Sequence, residues 1–344
     1  MNTFTSKLLA WYHVNKRDLP WRQTKNPYAV WLSEVILQQT RVAQGLPYYE
    51  RFVATFPTVR DLADANEDKI LKLWQGLGYY SRARNLHKTA KEVANDYHGV
   101  FPKSYEKLIK LPGIGPYTAS AIASICFNEE KAVIDGNVYR VLARYFDVDT
   151  PINKPEGVRY FQALAQSLID IKSPGDYNQA IMEFGALQCT PKQPLCTSCP
   201  IAESCQSYAN NTIDIRPQKI KSKPVRKRFF HYLIPFDQHQ NTLITKRNKK
   251  DIWQGLYEFP LFESDKILTE KELKMHPELP NWATTAQWVR FQDEVMVHKL
   301  THQEIHADFW ILEGVKKEFS IPWNEVPKLG VPRLIDRFLQ KFSR

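Results

Sequence analysis

The sequence predicts two folded domains of different class, an all-α domain followed by a small α/β domain, and three observations carry that reading. Up to about residue 210 apolar residues recur at three- and four-residue spacing, as in YAVWLSEVILQQTRV and NVYRVLARYF, and strand signals are nearly absent. Between Arg216 and Arg228 the run RPQKIKSKPVRKR has seven basic residues, two prolines and no acidic residue, a composition that cannot build a core and should stay extended. Beyond it the character changes to short β-rich runs, FFHYLIPF, TLITKR, EVMVHKL and HADFWILEG, separated by turns such as DQHQN. The expected boundaries are a first domain over 1–214, a basic linker over 215–228 and a second domain over 229–344, and a chain of 344 residues is long enough for each domain to bury its own core.

Local signals place the elements in order. The opening MNTFTSKLLAWYHVNKR has charge at both ends and no long apolar centre, so it reads as an amphipathic helix and not as a signal peptide. Asn26-Pro27 opens a helix as N-cap and first-turn proline, and Pro116 opens another. Asp135, followed by Gly136 and Asn137, caps the helix NVYRVLARYF. In the second domain LTEKELKMH and the closing VPRLIDRFLQKF are the helix candidates, and no internal repeat interrupts the pattern.

Charge and cysteines narrow the partners. The 47 basic residues against 37 acidic ones give +10, an attractive field for a polyanion, because neutralising phosphates releases condensed counterions. No stretch of eighteen apolar residues offers a membrane span, and no membrane partner is expected. Four of the five cysteines lie between Cys189 and Cys205, too close together to staple the chain as disulfides, so a metal site in a reducing cytoplasm fits better. The fifth, Cys126, in ASAIASICF, reads as a buried small hydrophobe.

Three groups of residues could carry chemistry. In LPGIGPYT, Leu111 to Thr118, Gly113 and Gly115 permit a tight hairpin between two helices whose backbone N–H groups can meet a phosphate. The spacing C-x6-C-x2-C-x5-C of Cys189, Cys196, Cys199 and Cys205 supplies four thiolates, for which zinc or an iron–sulfur cluster are both open by chemistry alone. Glu34 sits among Trp31, Leu32, Val35, Ile36 and Leu37. A carboxyl in such surroundings loses hydration of its charged form, so its pKa should rise and it could hold a proton near neutrality. Asp135 at a helix N-cap should instead be held anionic by N–H donors and the helix dipole. One protonated acid and one anionic carboxylate are the pair expected for breaking a glycosidic bond through an oxocarbenium-like state.

The hairpin with its flanking helices, together with VIDGNVYRVLARY and the cysteine spacing, resembles the helix-hairpin-helix endonuclease III superfamily of DNA glycosylases. Within it, PWRQTKNPYAVWLSEVILQQT, LWQGLGYYSRARNLHK, NQAIMEFGALQCT and DIWQGLYEFP resemble the MutY-type adenine glycosylases over the whole chain. The resemblance implies a helix-hairpin-helix glycosylase domain with a [4Fe-4S] cluster on Cys189, Cys196, Cys199 and Cys205, then a Nudix-like module. It implies that Glu34 protonates adenine, that Asp135 stabilises the sugar cation, and that Tyr117 and Asn137 support the transition state. Tyr117 stands where the lyase branch has the lysine that forms a Schiff base, and DGNVYR has no lysine either, so water is the expected nucleophile and the enzyme should be monofunctional.

The target base must leave the duplex to be reached. By resemblance Gln39 and Tyr79 wedge into the stack, Gln179 and Glu183 contact the flipped adenine, and Gly113 and Gly115 face the backbone. The second domain has no G-x5-E-x7-R-E-x2-E-E pattern to hold magnesium, so it should read the lesion and not hydrolyse. Leu300-Thr301-His302 stands where many relatives have Phe-Ser-His; threonine keeps the hydroxyl and leucine loses the ring. The expected partner is double-stranded DNA with adenine opposite 8-oxoguanine or guanine, bound by a monomer in the bacterial cytosol. The competing readings are a bifunctional lyase acting on oxidised pyrimidines, against which the missing lysine speaks, and a non-catalytic DNA-binding scaffold, which would not need the Glu34 and Asp135 pair.

Overall fold

In the computed structural model, which describes residues 3–220 and 224–342, the described residues contain no strand before Arg226. The helices are α1 (Thr3–Asn15), α2 (Pro27–Leu37), α3 (Val42–Thr55), α4 (Val59–Asp64), α5 (Glu67–Leu73), α6 (Ser81–Asp96), α7 (Tyr105–Leu108), α8 (Pro116–Phe127), α9 (Gly136–Tyr145), α10 (Pro155–Leu168), α11 (Pro174–Leu187) and α12 (Gln206–Ala209). The chain divides into two compact units, 1–64 with 85–221 and 65–84 with 222–344. The second unit therefore includes α5 and its flanks, which the sequence reading assigned to the first domain.

In the first unit the local signals act as read. The Asn26 side chain accepts from Tyr28 N at 2.9 Å and Pro27 occupies the first turn of α2. This helix is buried from Val30 to Ile36, so Ser33 and Glu34 are enclosed along with Trp31, Leu32 and Val35. Helix α8 is rich in small residues and buried throughout Thr118 to Ile125, and α11 crosses it closely: a Cβ on Gly175 would lie 2.8 Å from Ile125 Cα. Helix α11 also packs on α1 and α9. Cys126, expected to be buried, is only partly so, because it sits in the last turn of α8 beside the left-handed cap Asn128.

In the second unit a five-stranded sheet is built on β1 (Arg226–Pro235), with β2 (Asn241–Thr242), β3 (Thr245–Lys246) and β4 (Tyr257–Glu258) as short pieces off it. Strand β5 (Leu261–Ser264) pairs antiparallel with β1, and β6 (Gln287–Arg290) and β7 (Met296–Lys299) pair antiparallel with β8 (Gln303–Glu313). Strand β8 runs parallel to β1 in the register Arg226↔Gln303 to Pro235↔Leu312, and β9 (Ile321–Pro322) pairs with β2. One sheet face carries Leu233, Trp310 and Leu312 into a core with Phe262, Leu273 and Trp288, where α13 (Glu270–Lys274) and α14 (Asn281–Thr284) lie. On the other face Tyr232 stacks on Phe309, which stacks at 4.5 Å on Phe338 of α15 (Arg333–Lys341). A capping box of Thr269 and Glu272 starts α13.

Two expectations change. TLITKR is not one strand but two, β2 and β3. The basic run enters the sheet early: β1 begins at Arg226, and Arg228 is buried on Glu263 (2.6 Å) and Asp251 (2.7 Å) instead of lying solvated in a linker. Residues 221–223 of that run lie outside the described residues.

Candidate active site

The expected acid meets the expected tyrosine. Tyr117, in the first turn of α8, donates its phenol hydrogen to Glu34 Oε2 of α2 at 2.6 Å. Burial raises the Glu34 carboxyl from its ordinary 4.5 to about 7, and the Asp135 charge adds to the rise. The Tyr117 hydrogen bond and the Arg22 charge oppose it without cancelling it. Burial, and then the Glu34 and Asp135 charges, hold the Tyr117 phenol well above its usual value, so it keeps its proton.

Asp135 is the N-cap of α9. Its Oδ1 accepts from Asn137 N and Val138 N, each at 2.8 Å, and its Oδ2 accepts from Asn137 Nδ2 at 2.8 Å. The cap was expected to hold this carboxylate anionic, but burial is the larger influence and the net shift is upward despite the three donors and Arg140. Asn137 is held in turn: Arg140 Nη2 donates to its Oδ1 at 2.8 Å, and a Cβ on Gly185 of α11 would fall 2.6 Å from its Cβ.

Arg140 also reaches the cysteine loop, donating through Nε to Cys189 O at 2.7 Å. All four cysteines line one cavity of about 30 Å³, together with Phe184 and Arg144. Arg144 closes the loop from below, donating to the carbonyls of Thr190 (2.7 Å), Ile213 (3.1 Å) and Arg216 (3.2 Å), with Cys189 Sγ 3.5 Å from its Nη1. Burial first, and the neighbouring thiols after it, push the Cys199 thiol up to about 11. Among the described residues no three His, Cys, Asp or Glu side chains form a group that could hold a metal ion as they stand. The four thiols nonetheless line a common apolar space, a donor set that suits zinc or an iron–sulfur cluster in kind.

The hairpin between α7 and α8 has Gly113 at φ +72°, and a Cβ there would meet Asn85 Cβ at 2.5 Å, so this position needs glycine twice over. Gly115 caps α8 without any side-chain acceptor, leaving the first backbone N–H groups of that helix for another partner.

Comparison with known proteins places this geometry. Residues 32–169 match the model of the HhH-GPD superfamily of base excision DNA repair proteins, and residues 231–341 match a NUDIX domain. The chain is 36% identical to the adenine DNA glycosylase of Buchnera aphidicola subsp. Baizongia pistaciae, over 99% of this chain and 97% of that one. It is 44% identical to the human adenine DNA glycosylase, over 95% of this chain and 69% of that protein. The chain belongs to the adenine DNA glycosylase family. Among solved structures, a thermostable thymine-DNA glycosylase superposes with a TM-score of 0.56 at 30% identity, covering 60% of this chain and 95% of its own. An endonuclease III–DNA complex gives 0.53 at 21% identity, over 61% of this chain and 95% of its own, a likeness of fold alone. Membership makes the chain a DNA glycosylase of base excision repair.

The remaining expected site residues fall as follows. Gln39 (φ +57°), just after α2, and Tyr79 (φ +47°), just before α6, are both non-glycine residues in left-handed backbone, a conformation that concentrates at functional sites. Leu300, Thr301 and His302 form the turn of the β7–β8 hairpin, closed by Leu300 N donating to Gln303 O at 2.8 Å. Tyr79 and Thr301 are brought together, as their hydroxyls are hydrogen-bonded. Gln179 accepts from Tyr12 OH at 2.8 Å. Glu183 is fully engaged: Arg17 donates through N, Nε and Nη2 and Arg22 through Nη1 and Nη2, all between 2.6 and 2.9 Å. Burial raises its pKa, yet those donors outweigh burial and bring it down to about 2.

Sequence reading missed Arg17, Arg22 and Arg140. Arg140 stands in DGNVYR, whose helical spacing puts it one turn beyond Gly136 and Asn137. That was the available signal.

Proposed function

We propose that the chain excises adenine opposite 8-oxoguanine or guanine in duplex DNA, by hydrolysis and as a monomer. The carrying observation is the Glu34 carboxyl at about 7, hydrogen-bonded to Tyr117 and within the field of Asp135. Protonated Glu34 donates to a ring nitrogen of the flipped adenine, the N-glycosidic bond breaks with its electrons going to the base, and positive charge develops on the sugar. Asp135, oriented by Asn137, offsets that charge, and water adds to the sugar carbon and loses a proton. Tyr117 is not a candidate Schiff-base nucleophile: a phenol with no amine, it supports release without strand cleavage. Gln179 and Glu183 face adenine in this reading, Glu183 acting through the arginines it orients.

Cys189, Cys196, Cys199 and Cys205 would hold a [4Fe-4S] cluster, which when bound supplies four iron–thiolate bonds that cross-link the loop. Gly113 and Gly115 contact phosphate, Gln39 and Tyr79 fill the stack, and the 300–302 turn inspects the opposing base. Among the described residues no helix is long and apolar enough to cross a membrane.

The deciding assay is purified protein on a duplex with adenine opposite 8-oxoguanine, with and without alkali, and with borohydride during turnover. Strand breaks only after alkali and no trapped complex are expected. Efficient trapping would favour the lyase reading, and no release at all the scaffold. Iron and sulfide analysis should find both, with loss of colour or solubility in Cys199→Ser; stoichiometric zinc in a colourless protein would overturn the cluster.

A further inference from the structure

We infer that Tyr12 is a positioning residue for base recognition: its phenol fixes which end of the Gln179 amide donates and which accepts, and so sets adenine apart from bases with an oxygen at C6. The observation is a buried hydrogen bond between α1 and α11 of the same unit, Tyr12 OH donating to Gln179 Oε1 at 2.8 Å. This deepens the proposed function, and it rests on that reading for the contact of Gln179 with the base.

The hydrogens decide the direction of that bond. A phenol can donate or accept, and an amide turned end for end would offer Nε2 to the Tyr12 oxygen instead. Tyr12 is 2% exposed, and among the described residues its hydroxyl has Gln179 as its one hydrogen-bond partner. The turned amide would leave the phenol hydrogen buried without an acceptor, a penalty the observed orientation avoids. Burial pushes the phenol up to about 12 against the opposing Arg22 charge, so that hydrogen is present at any working pH. The ring is itself held. Trp11 meets Phe184 edge-on at 4.9 Å where α1 lies on α11, and the Lys16 ammonium and the Arg22 guanidinium lie over the Tyr12 ring at 5.5 and 5.7 Å. Arg22 is fixed in turn by Glu183, one helical turn beyond Gln179 on α11. Tyr12 thus braces Gln179 through its hydroxyl and Arg22 through its ring.

Gln179 is 8% exposed, and no acceptor among the described residues takes its Nε2 hydrogens. With Arg22 it lines a cavity of about 320 Å³, within the size range of small-molecule sites. With Oε1 pinned by Tyr12, Nε2 is a fixed donor and the second lone pair of Oε1 a fixed acceptor. That pattern matches the amine of adenine beside a ring nitrogen, the pair that a glutamine amide reads with two bonds. A base with an oxygen in place of the amine sets acceptor against Oε1. A free amide would escape that clash by turning over, and Tyr12 denies it the turn. The orientation is fixed before the base arrives, so its ordering cost is already met.

The test uses the full chain with Tyr12→Phe, Gln179→Met and the double variant. Two duplexes carry 2′-fluoroadenosine or 2′-fluoroinosine opposite 8-oxoguanine; the fluorine disfavours the sugar cation, so the base is bound without being released. Binding titrations give the affinity ratio of adenine to hypoxanthine, whose C6 bears an oxygen. Tyr12→Phe should lower that ratio by roughly three- to tenfold, the equivalent of one net hydrogen bond. Gln179→Met should lower it at least as far, and the double variant no further than Gln179→Met. A general structural defect would weaken both duplexes alike, so an unchanged ratio in Tyr12→Phe, or losses that multiply in the double variant, would overturn the inference. The bond is also read without DNA, from urea midpoints of the same three variants: the shift of the double variant should be smaller than the sum of the two single shifts. Additive shifts would overturn the tether even if adenine excision stands. If the shifts are coupled and the ratio falls while wild-type protein releases no adenine from an unmodified duplex, the role of Tyr12 stands and the proposed function fails.

Discussion

Glu34 and Glu183 are buried glutamates of the same unit, and they sit at opposite ends of the carboxylate range. Glu34 is raised to about 7 and Glu183 lowered to about 2. Burial pushes both upward, so the opposite directions of the two shifts come from what else faces each carboxyl. The difference is in the donors: Glu183 receives five hydrogen bonds from two guanidinium groups and one backbone N–H, while Glu34 receives one from a neutral phenol and feels Asp135 nearby. One carboxyl is built to stay charged and organise cations, the other to carry a proton at working pH. Two buried glutamates are thus assigned opposite tasks by what faces them.

The hardest test of that comparison is Glu34→Gln. An amide keeps the shape and cannot give the proton, so base release should fall by about 10² to 10⁴-fold while DNA binding persists. Single-turnover excision beside a binding titration measures both, and near-normal release would remove Glu34 from the chemistry. Glu183→Gln attacks the other side. It leaves Arg17 and Arg22 facing a neutral amide, and since Arg22 is largely enclosed the fold should lose about 3 kcal/mol, the low end for a broken buried pair. Denaturant unfolding reads this, and an unchanged midpoint would show that the five hydrogen bonds contribute little.

A smaller effect separates the two by pH. Glu34 has a folded pKa above its unfolded value, so its burial costs nothing below about 4.5 and the cost grows to its full size as pH rises through 7. Over that window Glu34→Gln should gain stability relative to wild type, by up to about 3 kcal/mol, and hold the gain above it. Glu183 has a lowered folded pKa, so its contribution is present above 4.5 and is lost as pH falls toward 2. Between pH 5 and pH 8 the urea midpoint of Glu34→Gln should therefore rise relative to wild type while the deficit of Glu183→Gln stays nearly constant, and that deficit should shrink only below about pH 4.5. Excision by wild type should decline above about pH 7, where Glu34 loses its proton.

What could be read from sequence was what is local. Asn26 with Pro27, Pro116 and Asp135 announced their helices because a cap and its recipients lie within three residues. The enclosure of Glu34 was legible from the apolar residues on either side of it. Its counterpart was not: Arg17 and Arg22 lie 166 and 161 residues from Glu183, and nothing along the chain pairs them. The same holds for Tyr79 with Thr301. Arg228 looked like part of a solvated tether because Asp251 and Glu263, which neutralise it, come 23 and 35 residues later. The placement of 65–84 with the second unit was hidden for the same reason, since its anchors Lys246, Tyr257 and Asp336 are far downstream.

The smallest expected effect concerns a fragment ending near residue 222. It lacks the partners of 65–84, so that segment should become more open to limited proteolysis, with Asp68, Lys72 and Gln75 left without their bonds to the sheet side of the second unit. Discrimination of 8-oxoguanine from guanine should weaken along with it, within the few kcal/mol that one or two base contacts carry. The groups that set Glu34, however, are Tyr117, Asp135 and Arg22, and those that set Glu183 are Arg17 and Arg22, all within the first unit. The alkaline limb of adenine excision should therefore stay within about 0.3 pH units of that of the full chain, since neither the burial nor the charges that fix it have changed. Rate against pH for fragment and full chain, on one duplex with adenine opposite guanine, makes the comparison independent of lesion reading. A limb displaced by a whole unit would mean that the second unit helps to hold the proton on Glu34, and the contrast between the two glutamates would then not be a property of the first unit alone.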